Sequence, residues 1–369
     1  MAIRENKWVE FLKSNKGKGK TLEELSDEYK NEIKRIIKPT PDIRKQSKQQ
    51  LNSYSHSHIY ISGINSLYFY RNVMGKRILL LGEAHISGTC KGHHVEADRF
   101  VYDILNHTPS KKCLDIFIEG RYKYPLIINS KSSMNDVLNV LSNLKRNNIR
   151  SHYSDPRVFD DYIEYPIISL FENIMKYDMS FDLKKAFGHL NIDMMISWLL
   201  MLSNNGKKEF YKLFSIYNSL NIGSEISIKQ IQEWEQKYFT VVKKELSKID
   251  NNIITKTKLL RVLKHVYSNI NTLPFTNSIF EVKIALLTAT PMDVYILSRL
   301  FIRFNKRRPA YICETDTIDN CIIYSGANHS TIYKNFIYTL FNIKPSYKSV
   351  NKDPLDLCLP CSYKFNYWK

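Results

Sequence analysis

The sequence predicts an α/β fold, a central and mostly parallel sheet flanked by helices, with a large helical insertion and an N-terminal helical hairpin. Three segments carry that prediction: Arg77-Ile-Leu-Leu-Leu-Gly-Glu-Ala-His85, Cys113-Leu-Asp-Ile-Phe-Ile-Glu-Gly120 and Cys321-Ile-Ile-Tyr-Ser-Gly-Ala-Asn-His329. Each runs from an apolar stretch into a glycine with a carboxylate or an imidazole beside it. An unbroken aliphatic run fits a strand covered on both faces. The carboxyl ends of such strands are where ligands bind in open α/β sheets, and a glycine there lets the backbone approach a substrate closely.

From the N-terminus, residues 1–45 read as a basic helical hairpin. Trp8, Phe11 and Leu12 make one apolar face, and Lys16-Gly-Lys-Gly-Lys20 forms the turn. Thr21 and Glu24 fit a capping box that starts a second helix with Leu22, Leu25 and Tyr29 on its face. Residues 46–58 are polar and aperiodic, a linker. The core spans 59–345, and residues 346–369 read as a C-terminal tail.

Within the core, Glu83 and His85 end the first predicted strand and Glu119 ends the next. His329 follows the last, ahead of a helix with Ser330 or Thr331 near its start. His93 and His94 close a short loop and are placed to line or gate the site. Ile149 to Arg157 reads as a further strand and loop, in which Arg150, Asp155 and Arg157 are candidates for binding a substrate carboxylate or phosphate.

Residues 159–277 carry helical spacing: Ile168, Leu170 and Phe171; Met194, Met195, Trp198, Leu199 and Leu200; Trp234, Tyr238 and Val242. Asp182–Phe187 and Lys229–Asp250 read as amphipathic helices. This insertion covers the sheet and is a natural place for substrate selectivity. Pro291 to Leu300 predicts a helix against the sheet, with Asp293 and Arg299 in structural roles.

Glu83, His85, Glu119 and His329 form a catalytic candidate set. Two imidazoles and two carboxylates suit a borderline divalent ion, or act directly on water as acid and base. A metal would lower the pKa of bound water and polarise a carbonyl; without one, a carboxylate beside His85 would hold its tautomer. The chain has no G-x-S-x-G, HE-x-x-H or G-x-x-x-x-G-K-[ST] motif.

The ordered set of Gly82, Glu83 and His85, then Glu119, then Gly326, Ala327 and His329 resembles the erythromycin esterase/ChaN-like and TraB/TIKI superfamily. The resemblance covers about residues 75–125 and 280–340. It implies a hydrolase of an ester, lactone or peptide bond, with a divalent metal (Mn, Zn or Co) on His85, His329, Glu83 and Glu119, and haem as the alternative cofactor. Its substrate would be a small molecule or a peptide. The N-terminal segment is similar to short HMG-box-like or YABBY-like segments of large DNA virus proteins, which implies nucleic-acid contact through Lys16, Lys18 and Lys20. The competing reading is a non-catalytic basic viral protein that binds nucleic acid or is packaged in a particle.

A formal net charge of +18 over 369 residues favours anionic partners. The excess is dispersed, since residues 1–50 carry 13 Lys and Arg against 8 Asp and Glu. No apolar run reaches transmembrane length and the N-terminus lacks a signal-peptide core, so the expected location is intracellular, host cytoplasm or virion, and not secreted. The six cysteines are accordingly expected as free thiols. Cys358 and Cys361 make one C-x-x-C, half of a zinc site at most.

Overall fold

The computed structural model describes residues 59–84, 90, 94–119, 133–144, 146–154, 187–221, 223–270, 279–303, 315–353, 356–362 and 365–368. The chain divides into Met1–Ser57 and His58–Lys369, and every described residue belongs to the second unit. The hairpin with Lys16, Lys18 and Lys20, the linker, His85, His93, Asp155 and Arg157 lie outside the described residues, as does nearly all of 182–187.

The fold is mixed α/β, as predicted. In chain order the elements are β1 (Ile59–Ser62), β2 (Ser66–Val73), β3 (Lys76–Glu83), β4 (His94–Glu96), α1 (Ala97–Asn106), β5 (Leu114–Ile118), α2 (Ser133–Asn143) and β6 (Ile149–Tyr153). There follow α3 (Ile192–Leu199), α4 (Gly206–Ser219), α5 (Ile228–Leu246), α6 (Lys256–Ser268), α7 (Ile279–Arg299), β7 (Asn320–Gly326), α8 (Ala327–Phe341), β8 (Tyr347–Val350) and β9 (Cys358–Cys361). Six strands form the main sheet in the order β6-β5-β7-β3-β2-β8, and β4-β1-β9 form a smaller one. The pairs β6/β5, β5/β7 and β7/β3 are parallel, while β2 runs antiparallel to both β3 and β8.

Strand parity sorts the core into two layers. Ile78 and Leu80 of β3, Phe117 of β5, and Cys321 and Ile323 of β7 join the cluster formed with α3–α8. Leu79 and Leu81, Ile116 and Ile118, and Ile322 and Tyr324 join a second cluster with α1 and α2. Both faces of β3 are therefore covered, which explains why its aliphatic run shows no alternation. Of the predicted helical insertion, Ile168, Leu170 and Phe171 lie outside the described residues, while 187–221 and 223–270 are largely helical. Met195, Trp198, Leu199, Leu200, Trp234, Tyr238 and Val242 are all buried, and Phe210 stacks on Trp234 at 5.4 Å between ring centroids. A capping box of Ser227 and Gln230 starts α5, so this helix begins where the apolar period begins.

Two expectations are corrected, the C-terminal tail and the free cysteines. Residues after 345 are no tail: β8 pairs with β2 and β9 with β1, so this segment closes an edge of both sheets. The helix after β7 begins at Ala327 with Gly326 as N-cap, so Ser330 and Thr331 lie near its start as expected, Ser330 buried and the Thr331 hydroxyl donating to the Ala327 carbonyl. The cysteines are not all free. Cys90 and Cys358 form a disulfide and Cys113 is disulfide-bonded, whereas Cys321 and Cys361 are buried thiols. With Cys358 so engaged and Cys361 three residues on, the C-x-x-C does not act as a zinc half-site. Among the described residues no helix is long and apolar enough to cross a membrane.

Candidate active site at the carboxyl edge of the sheet

Strands β5, β7 and β3 lie side by side and run parallel, so the three predicted strand endings meet along one edge of the sheet. The chain after β7 enters α8 on one face, while the elements after β3 and β5, α1 and α2, pack on the other. The carboxyl end of β7 is thus a topological switch point, the place where a crevice opens in such sheets.

Glu119 follows β5 directly, and its backbone N–H donates to the Tyr324 carbonyl at 3.0 Å, extending the ladder by one step. Its side-chain Oε2 accepts from the Gly326 N–H at 2.7 Å. A carboxylate is thereby seated at the N-terminus of α8, where backbone N–H groups lack helical partners and the helix dipole favours negative charge. His329, third residue of α8, has its Nδ1 2.7 Å from Oδ1 of Asp293 on α7. The other oxygen of Asp293, Oδ2, accepts from the Tyr267 hydroxyl of α6 at 2.6 Å. His329 Nε2 stands 3.9 Å from Glu119 Oε1. Tyr267, Asp293, His329 and Glu119 therefore form one line of polar groups from the interior to the sheet edge.

Burial grades along that line. The Asp293 side chain is 0% exposed, against 15% for His329 and 19% for Glu119. The orienting end is dry and the imidazole end reaches solvent. A carboxylate oxygen accepts hydrogen bonds, so the contact with Asp293 assigns a proton to His329 Nδ1, with Nε2 on the side of Glu119. The 3.9 Å separation is too long for a hydrogen bond and suits two groups that face the same reacting atom. Burial, with the nearby charge of Asp293, holds the hydroxyls of Tyr267 and Tyr333 far above the ordinary tyrosine range, so both remain protonated donors.

Glu83 does not join this group. It lies on the opposite face of the sheet, where Oε2 accepts from Ser133 Oγ of α2 at 2.5 Å and from the Tyr324 hydroxyl at 2.9 Å. The Ser133 and Tyr324 oxygens are themselves 2.6 Å apart. Burial and the charge of Glu83 raise the Tyr324 hydroxyl well beyond the usual tyrosine range. At 2% exposure Glu83 pins α2 to the sheet. Its neighbour Gly82 has a packing role rather than a substrate-facing one. A Cβ there would fall 2.3 Å from Ser66 Oγ and 3.0 Å from the Ala327 Cα, so the glycine lets α8 seat closely on β3.

Arg150 is likewise not a substrate clamp. Its Nε and Nη2 donate to the two oxygens of Asp115 at 2.8 and 2.7 Å, and Nη2 also donates to the Thr317 carbonyl at 3.0 Å. Asp115 is wholly buried on β5, in register with Arg150 on β6, and also bonds His152 Nε2 at 2.8 Å. A carboxylate on an apolar sheet face requires such partners. His94, at the start of β4, bonds Glu96 at 2.7 Å.

Asp293 and Tyr267 are the site residues that the sequence reading missed. Asp293 had a signal: with Leu286, Thr290 and Leu297 it falls on a buried stripe at three- and four-residue spacing, where an acid demands a partner. Arg299, by contrast, pairs with Glu245 at 2.8 Å and is structural, as read. Among the described residues no group of three or more His, Cys, Asp or Glu side chains is placed to hold a metal ion. Comparison with protein-family models, curated proteins and solved structures finds no match for the chain.

Proposed function

We propose that the chain is a hydrolase of an ester, lactone or peptide bond, with His329 as its general base. The observation that carries this reading is the 2.7 Å contact between Asp293 Oδ1 and His329 Nδ1, backed by the Tyr267 hydroxyl. A buried carboxylate that fixes the tautomer of a partly open imidazole is the arrangement that acid–base hydrolysis needs. In this mechanism His329 Nε2 takes a proton from water, the water oxygen bonds to the carbonyl carbon, and the C–O or C–N bond breaks. The proton on Nε2 then passes to the leaving group. Asp293 stabilises the imidazolium between those steps. Glu119, held by the Gly326 N–H, orients the attacking water from its other side.

His329 and Glu119 would also be the residues to hold a divalent ion such as Mn, Zn or Co. Their 3.9 Å donor spacing is one that two ligands at about 2.0–2.2 Å from one ion can span. When bound, such an ion would polarise the carbonyl and acidify water. The ordered set of Gly82, Glu83 and His85, then Glu119, then Gly326, Ala327 and His329, which resembles the erythromycin esterase/ChaN-like and TraB/TIKI superfamily, supports the same class of chemistry.

The test is a panel of activated esters, lactones and short peptides, assayed with and without added Mn, Zn or Co. Wild type should turn over at least one class, and His329→Ala should lower kcat/KM by about 10²–10⁴. Equal rates in the two proteins, or no turnover by wild type under any condition, would overturn the reading.

A further inference from the structure

A groove of about 570 Å³ opens between α5 and α6 in the helical insertion, and among the described residues its charged lining is cationic: Lys243, Lys256, Arg261 and Lys264. An adjoining hollow of about 300 Å³ shares Thr257 and Arg261 with it and adds Lys258 and His265. Among the described residues no carboxylate lines either, and the whole of 254–268 contains no Asp or Glu. Among the described residues none of the four groove cations forms an ion pair. The nearby acid of α5, Glu245, is buried and already held by Lys248 at 2.6 Å and Arg299 at 2.8 Å.

Convergent unpaired cations repel one another and keep the cost until an anion arrives. The placement on α6 adds to this. First turns ordinarily favour acids, because the helix N-terminus is the positive end of the dipole. Here Thr255 caps the helix, Lys256 opens it, Lys258 follows, and the first turn has no acid. At 1.5 Å per residue, Lys256 to Lys264 covers about 12 Å along α6, the reach of roughly three successive phosphates on one strand of a duplex. Among the described residues the apolar lining is Met201, Leu202, Leu246 and Leu260, without an aromatic ring on which a base could stack. Contact would therefore be with the backbone and independent of base sequence.

We propose that this groove binds the phosphate backbone of a nucleic acid. The site is separate from the carboxyl-edge residues, and its test needs no turnover. Fluorescence anisotropy of labelled 20-nucleotide single strands and duplexes would be measured with the full chain at 50 and 200 mM NaCl. The triple variant Lys256→Glu, Arg261→Glu, Lys264→Glu should bind at least 10-fold more weakly and lose about two to three from the slope of log K against log salt. Lys208→Glu, exposed on α4, should change affinity less than twofold. If the triple charge reversal does not fold, the corresponding Gln triple serves, with the same loss of slope expected.

Unchanged affinity and slope in the triple variant would overturn the proposal. So would loss of all binding on replacing only Lys16, Lys18 and Lys20, or displacement of DNA by polyglutamate at equal charge concentration, which would assign the groove to an acidic protein.

Discussion

Asp293 Oδ1 and His329 Nδ1 lie 2.7 Å apart across two helices, 36 residues distant in sequence. The contact joins a fully buried acid on α7 to the imidazole at the start of α8, and it gives that imidazole one tautomer and one orientation.

Asp293→Asn keeps the size of the side chain but can present an amide N–H to Nδ1, which favours the opposite tautomer. The expected result is a fall in kcat/KM on the order of 10³ with the fold retained. Adding His329→Ala should cost little more, because the two act as a unit. Steady-state rates and circular dichroism of the two single variants and the double check this.

Glu83→Gln should act on stability and not on chemistry. The carboxylate accepts from Ser133 and Tyr324 on the face away from His329, so the variant weakens two charge-assisted hydrogen bonds. A loss of about 1–3 kcal/mol in urea denaturation is expected, with kcat per folded molecule within a few-fold of wild type. A selective loss of kcat would return Glu83 to the catalytic set.

Asp115→Ala leaves Arg150 and His152 without their shared acceptor in the interior. Breaking a buried pair from one side costs about 3–5 kcal/mol, whereas replacing both partners with apolar residues of similar volume costs much less. The double variant Asp115→Leu, Arg150→Met should therefore denature at higher urea than Asp115→Ala alone.

Burial pushes the Cys361 thiol up to about 11. The folded state thus disfavours the thiolate, so this contribution to stability is complete below the unfolded thiol pKa near 8.5 and is lost as pH rises towards 11. Iodoacetamide at pH 8 should leave native Cys361 essentially unlabelled and modify it once the chain is unfolded. Cys321, also buried with its thiol raised, should behave alike.

Much of this arrangement was legible in the residues. An aliphatic run too uniform to alternate marks a strand covered on both faces, and β3 is such a strand. The glycine-bounded endings at Glu119 and Gly326 marked the carboxyl edge. The period of Trp234, Tyr238 and Val242 marked α5 within two residues at its start. What stayed hidden is what depends on partners far away in sequence. Neither the Cys90–Cys358 bond across 268 residues nor the pairing of β9 with β1 has a local signature.

The sequence by itself determined the fold class, the strands whose ends line one edge, and the presence there of Glu119 and His329. Only the tertiary structure decided which side chains meet. A strand sends successive residues to opposite faces, so Glu83 at the end of β3 and Glu119 at the end of β5 share an edge and yet face different layers. Which layer holds the proposed site is set by the helix that follows β7. It brings His329 over the sheet to an acid that, in one dimension, was only a misplaced charge in an apolar stripe.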